Sequence, residues 1–140
     1  MIKLEGVSKI YHPNITALNN VDVQIAPGEF VFLIGQSGSG KTTLVRLLTA
    51  EEKPTDGRVV LGDWDVSQIR RRDIPILRRQ IGVVYQDFKL LERKTVAENV
   101  AFAMEVCGEK GSVINSMVAQ VLSVVGLDQK AHRYPLQLSG

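Results

Sequence analysis

The chain has 140 residues, of which 44% are hydrophobic and 23% are charged, with a formal net charge of +2. This composition is typical of one ordinary globular domain, and its charge is too small to indicate a nucleic-acid partner. No stretch approaches the roughly 20 apolar residues of a membrane span, and the N-terminus lacks a signal-peptide pattern, so a cytosolic location and no direct membrane span are expected.

Two alternating segments open the chain. Ile2–Val7 and Val21–Ile25 alternate apolar and polar residues, which predicts half-exposed antiparallel strands. Tyr11 lies between them, where His12-Pro-Asn breaks the first strand. Its ring either stacks on a nucleobase or simply ends a strand, and the residues alone favour the second interpretation.

The segment Gly35–Thr42 matches the pattern Gly, four residues, Gly-Lys-Ser/Thr, which is that of a phosphate-binding loop. Glu29–Ile34 before it predicts a buried β-strand, and Lys41–Leu48 after it predicts a helix. In this arrangement backbone N–H groups and the positive end of the helix dipole converge on phosphate oxygens. We expect Lys41 to reach the β- and γ-phosphates and the Thr42 hydroxyl to bind Mg²⁺. The alternative is a glycine-rich turn that binds nothing.

A turn and a basic segment follow this helix. Pro54–Gly57 predicts a turn into a strand at Arg58–Leu61, and Ile69–Gln80 contains five arginines with apolar residues between them. Asp73 is expected to cap a helix whose first turn holds Pro75. Nucleic acid and anionic lipid are possible partners of such a segment, but a helix with one buried face and one solvated basic face is favoured. No nucleic-acid partner is therefore expected.

Ile81–Tyr85 predicts another buried strand, which places Gln86 and Asp87 at its end. In open α/β sheets ligands bind outside the carboxyl ends of the strands, so this polar pair is well placed to reach a nucleotide or its metal. An ordinary loop is the alternative.

The remaining residues predict two helices. Thr95-Val-Ala-Glu98 is a capping box that begins the first helix, and Cys107 falls on its apolar stripe, which predicts a packing thiol. Ser112 is expected to cap the second helix, and Gly126 is expected to end it. The inner face of that second helix is predicted to consist of Ile114, Met117, Val121 and Val124.

The phosphate loop, the strand ending in Tyr85-Gln-Asp, the helical region and the final Leu138-Ser-Gly together resemble the ATP-binding-cassette ATPases over essentially the whole chain. The resemblance implies an α/β fold of the P-loop NTPase type, with an antiparallel β subdomain, a helical subdomain and an incomplete core sheet. It places a nucleotide-binding αβ core at residues 1–87 and the helical subdomain at residues 88–140.

The resemblance also implies the cofactors ATP and Mg²⁺ and the role of each site residue. Gln86 would be the Q-loop glutamine that touches Mg²⁺ and the attacking water, which makes Lys41 and Gln86 the catalytic residues and Thr42 and Gln86 the metal ligands. Ser139 and Gly140 would begin the signature motif, which faces the ATP of the opposite subunit in a head-to-tail homodimer. The implied nucleotide contacts are Tyr11 of the A-loop, Gly35, Gln36, Ser37, Gly38, Ser39, Gly40, Lys41, Thr42, Thr43, Ser139 and Gly140.

Four segments narrow the resemblance: Glu51–Gly57, Arg71–Arg79, Ile81–Leu91 and Lys94–Ala101 are similar to the FtsE group of cell-division ATP-binding proteins. This similarity implies an FtsX-like integral membrane partner at the bacterial division septum, and a position on the inner face of the membrane through that partner. ATPases of lipoprotein release and macrolide export are the alternatives.

No apolar strand ending in Asp-Glu follows Leu138-Ser-Gly, so the sequence is expected to be the N-terminal portion of a longer ATPase and not a complete hydrolase by itself. Phe30–Ile34 is then expected to keep unpaired backbone groups, a state that favours association. A P-loop kinase or GTPase, and a module that acts only through interactions, are the competing functions.

Overall fold

A computed structural model describes residues 1–138, and the chain divides into two compact units, Met1–Gly82 and Val83–Gly140. The boundary between these two units, after Gly82, lies before the domain boundary that the sequence predicts after Asp87. No helix within residues 1–138 has the length and apolar character needed to cross a membrane.

The first unit is built on an antiparallel sheet with the strand order β2-β1-β3-β4. The strands are β1 (Ile2–Tyr11), β2 (Ile15–Ile25), β3 (Asp56–Leu61) and β4 (Trp64–Asp65), and the helices are α1 (Lys41–Leu48) and α2 (Ile74–Arg78). Both predicted opening strands are confirmed, and both are longer than the alternation indicates. The sheet and the two helices share one apolar core, formed by Leu4, Val7, Leu18, Leu47, Ala50, Val59, Val66, Ile69 and Leu77.

The strands predicted at Glu29–Ile34 and Ile81–Tyr85 are wrong for the described chain, where neither segment forms a strand. Most of their side chains are also exposed instead of buried: Phe30 is 82% and Ile34 is 87% accessible, and Val84 is 95% accessible. Ile81 is the exception, because it is half-buried against the core. The physical reason is that a strand is defined by its pairing, and residues 1–138 contain no strand that pairs with either segment. The core sheet is therefore incomplete within residues 1–138, as the resemblance implies.

Part of the arginine-rich segment forms the short helix α2, which buries Leu77, and the arginines of the segment are exposed. Asp73 precedes α2, but its side chain makes no capping hydrogen bond. Arg78 has a structural role: its guanidinium donates to the carbonyl oxygens of Thr49 at 2.9 Å and Ala50 at 3.3 Å. A cation is favourable at these positions because the last carbonyls of α1 carry the negative end of the helix dipole.

The second unit contains α3 (Val96–Cys107) and α4 (Gly111–Val124), followed by 3₁₀ turns at Asp128–Lys130 and Pro135–Gln137. Helix α3 begins at the predicted capping box. The predicted end of α4 at Gly126 is also confirmed. There the Leu127 N–H donates to the Leu122 carbonyl at 2.8 Å, which closes a Schellman motif.

Three predictions for these helices are wrong. Ser112 is not a cap, because α4 begins at Gly111 after Lys110, and Cys107 is exposed. The inner face of α4 is also misplaced, because α4 is apolar on several sides and periodicity alone does not select one of them. Its buried residues are Ile114, Val118 and Leu122, whereas Met117, Val121 and Val124 are exposed.

The capping box of α3 predicts a measurable, pH-dependent contribution to stability. Thr95 Oγ1 accepts the Glu98 N–H at 3.3 Å, and Glu98 Oε2 accepts the Thr95 N–H at 2.7 Å. Thr95→Ala is expected to lower the free energy of unfolding by about 0.5–2 kcal/mol at pH 7, measured by urea denaturation. Ser112→Ala is the matched control, since Ser112 lies at a helix start without capping it, and equal losses in both variants would contradict this assignment.

The same hydrogen bond from the Thr95 N–H lowers the pKa of Glu98 below its usual value of 4.5. A carboxyl group whose pKa is lower in the folded state adds stability above its unfolded pKa and loses that contribution as the pH falls through the folded value. We therefore expect Glu98→Gln to reduce the acid dependence of stability below about pH 4.5 and to leave the pH dependence between pH 6 and 8 unchanged.

Candidate nucleotide-binding site

The phosphate loop leads directly into α1, which begins and ends at the predicted residues. Gly40 is the N-cap residue and has φ 90°, a left-handed conformation that favours glycine. A Cβ atom at Gly40 would lie 2.4 Å from the Ala17 carbonyl oxygen of β2. The final glycine of the loop therefore packs against the backbone of β2. This contact fixes the start of α1.

Lys41 is held at the centre of the loop by uncharged oxygens. Its Nζ atom donates to the carbonyl oxygens of Gly35 and Gln36, both at 2.7 Å, and to Ser39 Oγ at 3.4 Å. Among residues 1–138 no carboxylate forms an ion pair with Lys41, and the first turn of α1 has no acidic residue. The positive charge of Lys41 is therefore uncompensated within this part of the chain.

A cavity of about 240 Å³ adjoins this lysine at the N-terminus of α1. The first N–H groups of any helix have no acceptor within the helix, and they carry the positive end of its dipole. The uncompensated ammonium and these donors suit a phosphate group, and the Thr42 hydroxyl supplies an oxygen of the kind that Mg²⁺ prefers. The lining residues are Ala17, Ser37, Gly38, Gly40, Lys41, Thr42 and Thr43.

Tyr11 lies beside the same helix. It is the last residue of β1, and its hydroxyl group is 3.3 Å from Thr43 Oγ1 in α1. The structure thus places the Tyr11 hydroxyl group beside the first turn of α1, directly after the phosphate loop, and Tyr11 also ends a strand. The two interpretations of Tyr11 therefore do not exclude each other.

Gln86 and Asp87 belong to the second unit, which is described by itself. Gln86 is exposed in a turn where the Phe88 N–H donates to the Tyr85 carbonyl at 3.1 Å. Asp87 pairs with Lys89 at 2.6 Å, and this hydrogen bond lowers the pKa of the carboxyl group. The roles of Gln86 as a catalytic residue and metal ligand remain predictions. Ser139 and Gly140 lie outside the described residues.

Sequence reasoning missed a polar cluster around Tyr11. Lys9 Nζ lies 5.2 Å from the centre of the Tyr11 ring and 3.2 Å from Glu52 Oε2, and Arg46 Nη1 lies 3.2 Å from Glu52 Oε1. Burial tends to raise the pKa of Glu52, but hydrogen bonds from Tyr11 and Lys9 hold it below its usual value of 4.5. The available sequence signal was the spacing of Lys9 and Tyr11, since residues i and i+2 of a strand share one face.

A phosphate loop with an uncompensated lysine at a helix N-terminus, beside an aromatic ring, defines a P-loop nucleotide-binding protein. A family model described as "ABC transporter" matches residues 18–140, and the chain therefore belongs to the ABC transporter family. Membership in this family excludes the alternatives of a P-loop kinase and a GTPase.

Relatives with curated names cover the whole chain. It is 50% identical over 140 residues to the cell division ATP-binding protein FtsE of Bacillus subtilis, and 52% identical over 141 residues to FtsE of Mycobacterium tuberculosis. The chain spans 61% of the length of each of these relatives. It is also 44% identical to the methionine import ATP-binding protein MetN of Xanthomonas campestris, of which it covers 43%.

A solved structure confirms the fold. A dimeric ATP-binding cassette in a post-hydrolysis state, bound to ADP and phosphate, aligns with a TM-score of 0.87 at 33% identity. The alignment covers 99% of this chain and 63% of that cassette. The α/β cassette fold with an antiparallel β subdomain and helices is thus the fold of this chain.

Proposed function

We propose that the chain belongs to the ATP-binding subunit of an FtsE/FtsX-type membrane complex in bacterial cell division. The observation that carries the proposal is the similarity to FtsE proteins along the entire chain. The geometry of the phosphate loop independently supports the ATP-binding part of the proposal, because Lys41 has no carboxylate partner within residues 1–138 and lies at a helix N-terminus, which suits a triphosphate.

In this proposal each part of the site has a distinct task. Lys41 and the N–H groups at the start of α1 bind and orient the β- and γ-phosphates, and the Tyr11 ring stacks on the base. Thr42 and Gln86 would hold Mg²⁺, which when bound neutralises phosphate charge. Ser139 and Gly140 would complete the site of a second copy of the chain. The similar solved cassette is dimeric, which supports the pairing of two copies.

Hydrolysis, the partner and the location are proposed for the whole protein, because the chain spans only part of its relatives' length. ATP binding and hydrolysis by the dimer would drive an FtsX-like protein. Binding to that membrane protein would place the subunit at the inner face of the cell membrane. A transporter ATPase is the second candidate, and the similarity to MetN supports it. ATPases of lipoprotein release and macrolide export belong to the same candidate class.

The partner distinguishes these candidates. We expect the protein to appear in the membrane fraction of its own cells when FtsX is present. Deletion of the FtsX gene should remove the protein from that fraction. Re-expression of FtsX is the control and should restore the association. Membrane association that survives loss of FtsX but disappears on loss of a transporter permease would favour the second candidate. Association with FtsX that needs no nucleotide binding would support a module that acts only through interactions.

A further inference from the structure

One face of the Tyr11 ring is occupied by a cation. Lys9 Nζ lies 5.2 Å from the ring centre, within the range at which an ammonium group is attracted to an aromatic face. Nothing in the phosphate-loop motif requires a lysine at this position. The contact joins two residues on one face of β1 and lies beside the start of α1.

The ammonium group is held in place from two further directions. It donates to the Lys53 carbonyl at 2.8 Å and pairs with Glu52 at 3.2 Å, and the Lys9 side chain is only 16% exposed. Glu52 is held in turn by Arg46 of α1 at 3.2 Å. Lys9 is therefore a fixed, largely desolvated cation and not a mobile surface lysine, which strengthens its attraction to the ring.

Two contacts determine the position of the Tyr11 ring, one at its hydroxyl edge and one on a face. The Tyr11 hydroxyl group contacts Thr43 at 3.3 Å, and Lys9 covers one side, so only the opposite face remains for a flat ligand. A cation on one face also draws electron density from the ring, which favours stacking of an electron-rich base on the other face.

We propose that Lys9 is a positioning residue for base recognition: it orients the Tyr11 ring so that the face opposite Lys9 stacks on a purine base. This inference rests on the proposed function, because it assumes that Tyr11 meets the base of a bound nucleotide. It assigns Lys9 to the base end of the site and not to the phosphates, and that difference can be measured.

The experiment compares two ligands on the intact protein, Mg-ATP and Mg-tripolyphosphate, which lacks the base and the sugar. Lys9→Met removes the charge and keeps the length of the side chain, whereas Lys9→Arg keeps a cation that can lie on the ring. Lys53→Met is the matched control, because it removes an exposed neighbouring charge while retaining the carbonyl group that binds Lys9. Each variant is also prepared in a Tyr11→Leu background, and its melting temperature is recorded.

We expect Lys9→Met to weaken Mg-ATP binding about two- to fivefold, the size of a cation–π contact, and to leave Mg-tripolyphosphate binding unchanged. Lys9→Arg should restore most of the loss, and Lys53→Met should have no effect. In the Tyr11→Leu background Lys9→Met should cause no further loss, since the ring through which Lys9 acts is absent. A purely structural role would lower the melting temperature without this dependence on the base.

Two results would overturn the inference alone. One is an equal loss of affinity for both ligands, which would mean that Lys9 acts through long-range charge. The other is normal Mg-ATP binding by Lys9→Met in a protein where Tyr11→Leu selectively weakens ATP. Failure of the wild-type protein to bind either ligand would instead overturn the proposed function, and the role of Lys9 with it.

Discussion

Lys41→Ala is expected to weaken Mg-ATP binding by about 1.5–3 kcal/mol, the usual cost of losing hydrogen bonds to a charged group, which raises the Kd roughly 10- to 150-fold. The structure shows why the effect should be large. Lys41 is held by the carbonyl oxygens of Gly35 and Gln36 with no carboxylate to neutralise it within residues 1–138, so its charge is available to a phosphate. A titration of the intact protein with fluorescent ATP and Mg²⁺ measures the change.

Lys110→Ala is the matched control for this variant. Lys110 is another lysine at the N-terminus of a helix, since it is the exposed N-cap residue of α4, but no phosphate loop precedes that helix. We expect its Kd to equal that of the wild-type protein. If Lys41→Ala bound Mg-ATP as tightly as Lys110→Ala, the assignment of the loop as the phosphate site would be wrong.

The features that the sequence predicted correctly depend on neighbouring residues. The helix Lys41–Leu48 follows from its glycine loop and local periodicity, and the α3 capping box needs only Thr95 and Glu98, three residues apart. The Schellman motif at Gly126 depends on one glycine and the residue after it. Local chemistry is enough in each case because all the interacting groups lie within one or two turns of the chain.

The features that the sequence did not predict depend on distant partners. Glu29–Ile34 has the apolar composition of a buried strand, but a strand needs a neighbour, and residues 1–138 supply none. Likewise, the inner face of α4 depends on where α3 packs, since both of its candidate stripes are apolar. Lys9 was missed because its contacts reach Glu52 and Lys53, more than forty residues away in sequence.

The residues of the candidate site show the same distinction between local and distant determinants. The phosphate loop is a continuous segment, so the sequence identifies its residues and the structure provides their geometry. Gln86 lies in the other compact unit, and Ser139 and Gly140 would act on a second copy of the chain. Their roles depend on an assembly that no local pattern specifies, and they therefore rest on the family resemblance.

Gly40→Ala is expected to destabilise the protein by about 2–5 kcal/mol, because the added methyl group meets both a backbone cost and a steric one. A left-handed conformation costs a non-glycine residue about 1–2 kcal/mol, and Gly40 has φ 90°. The new Cβ atom would also lie 2.4 Å from the Ala17 carbonyl oxygen and 2.9 Å from Leu18 Cδ2. Overpacking of this kind typically costs about 1–3 kcal/mol. Urea denaturation measures the loss.

Gly38→Ala is the control within the same loop, because it isolates the backbone cost. Gly38 has φ 80°, but a Cβ atom added there would have no neighbouring atom within 4 Å. We therefore expect Gly38→Ala to lose only about 1–2 kcal/mol, and the further loss in Gly40→Ala to measure the contact between the loop and β2. Equal losses of stability in the two variants would show that the backbone of β2 moves aside without an energetic cost. The sheet would then not fix the start of α1.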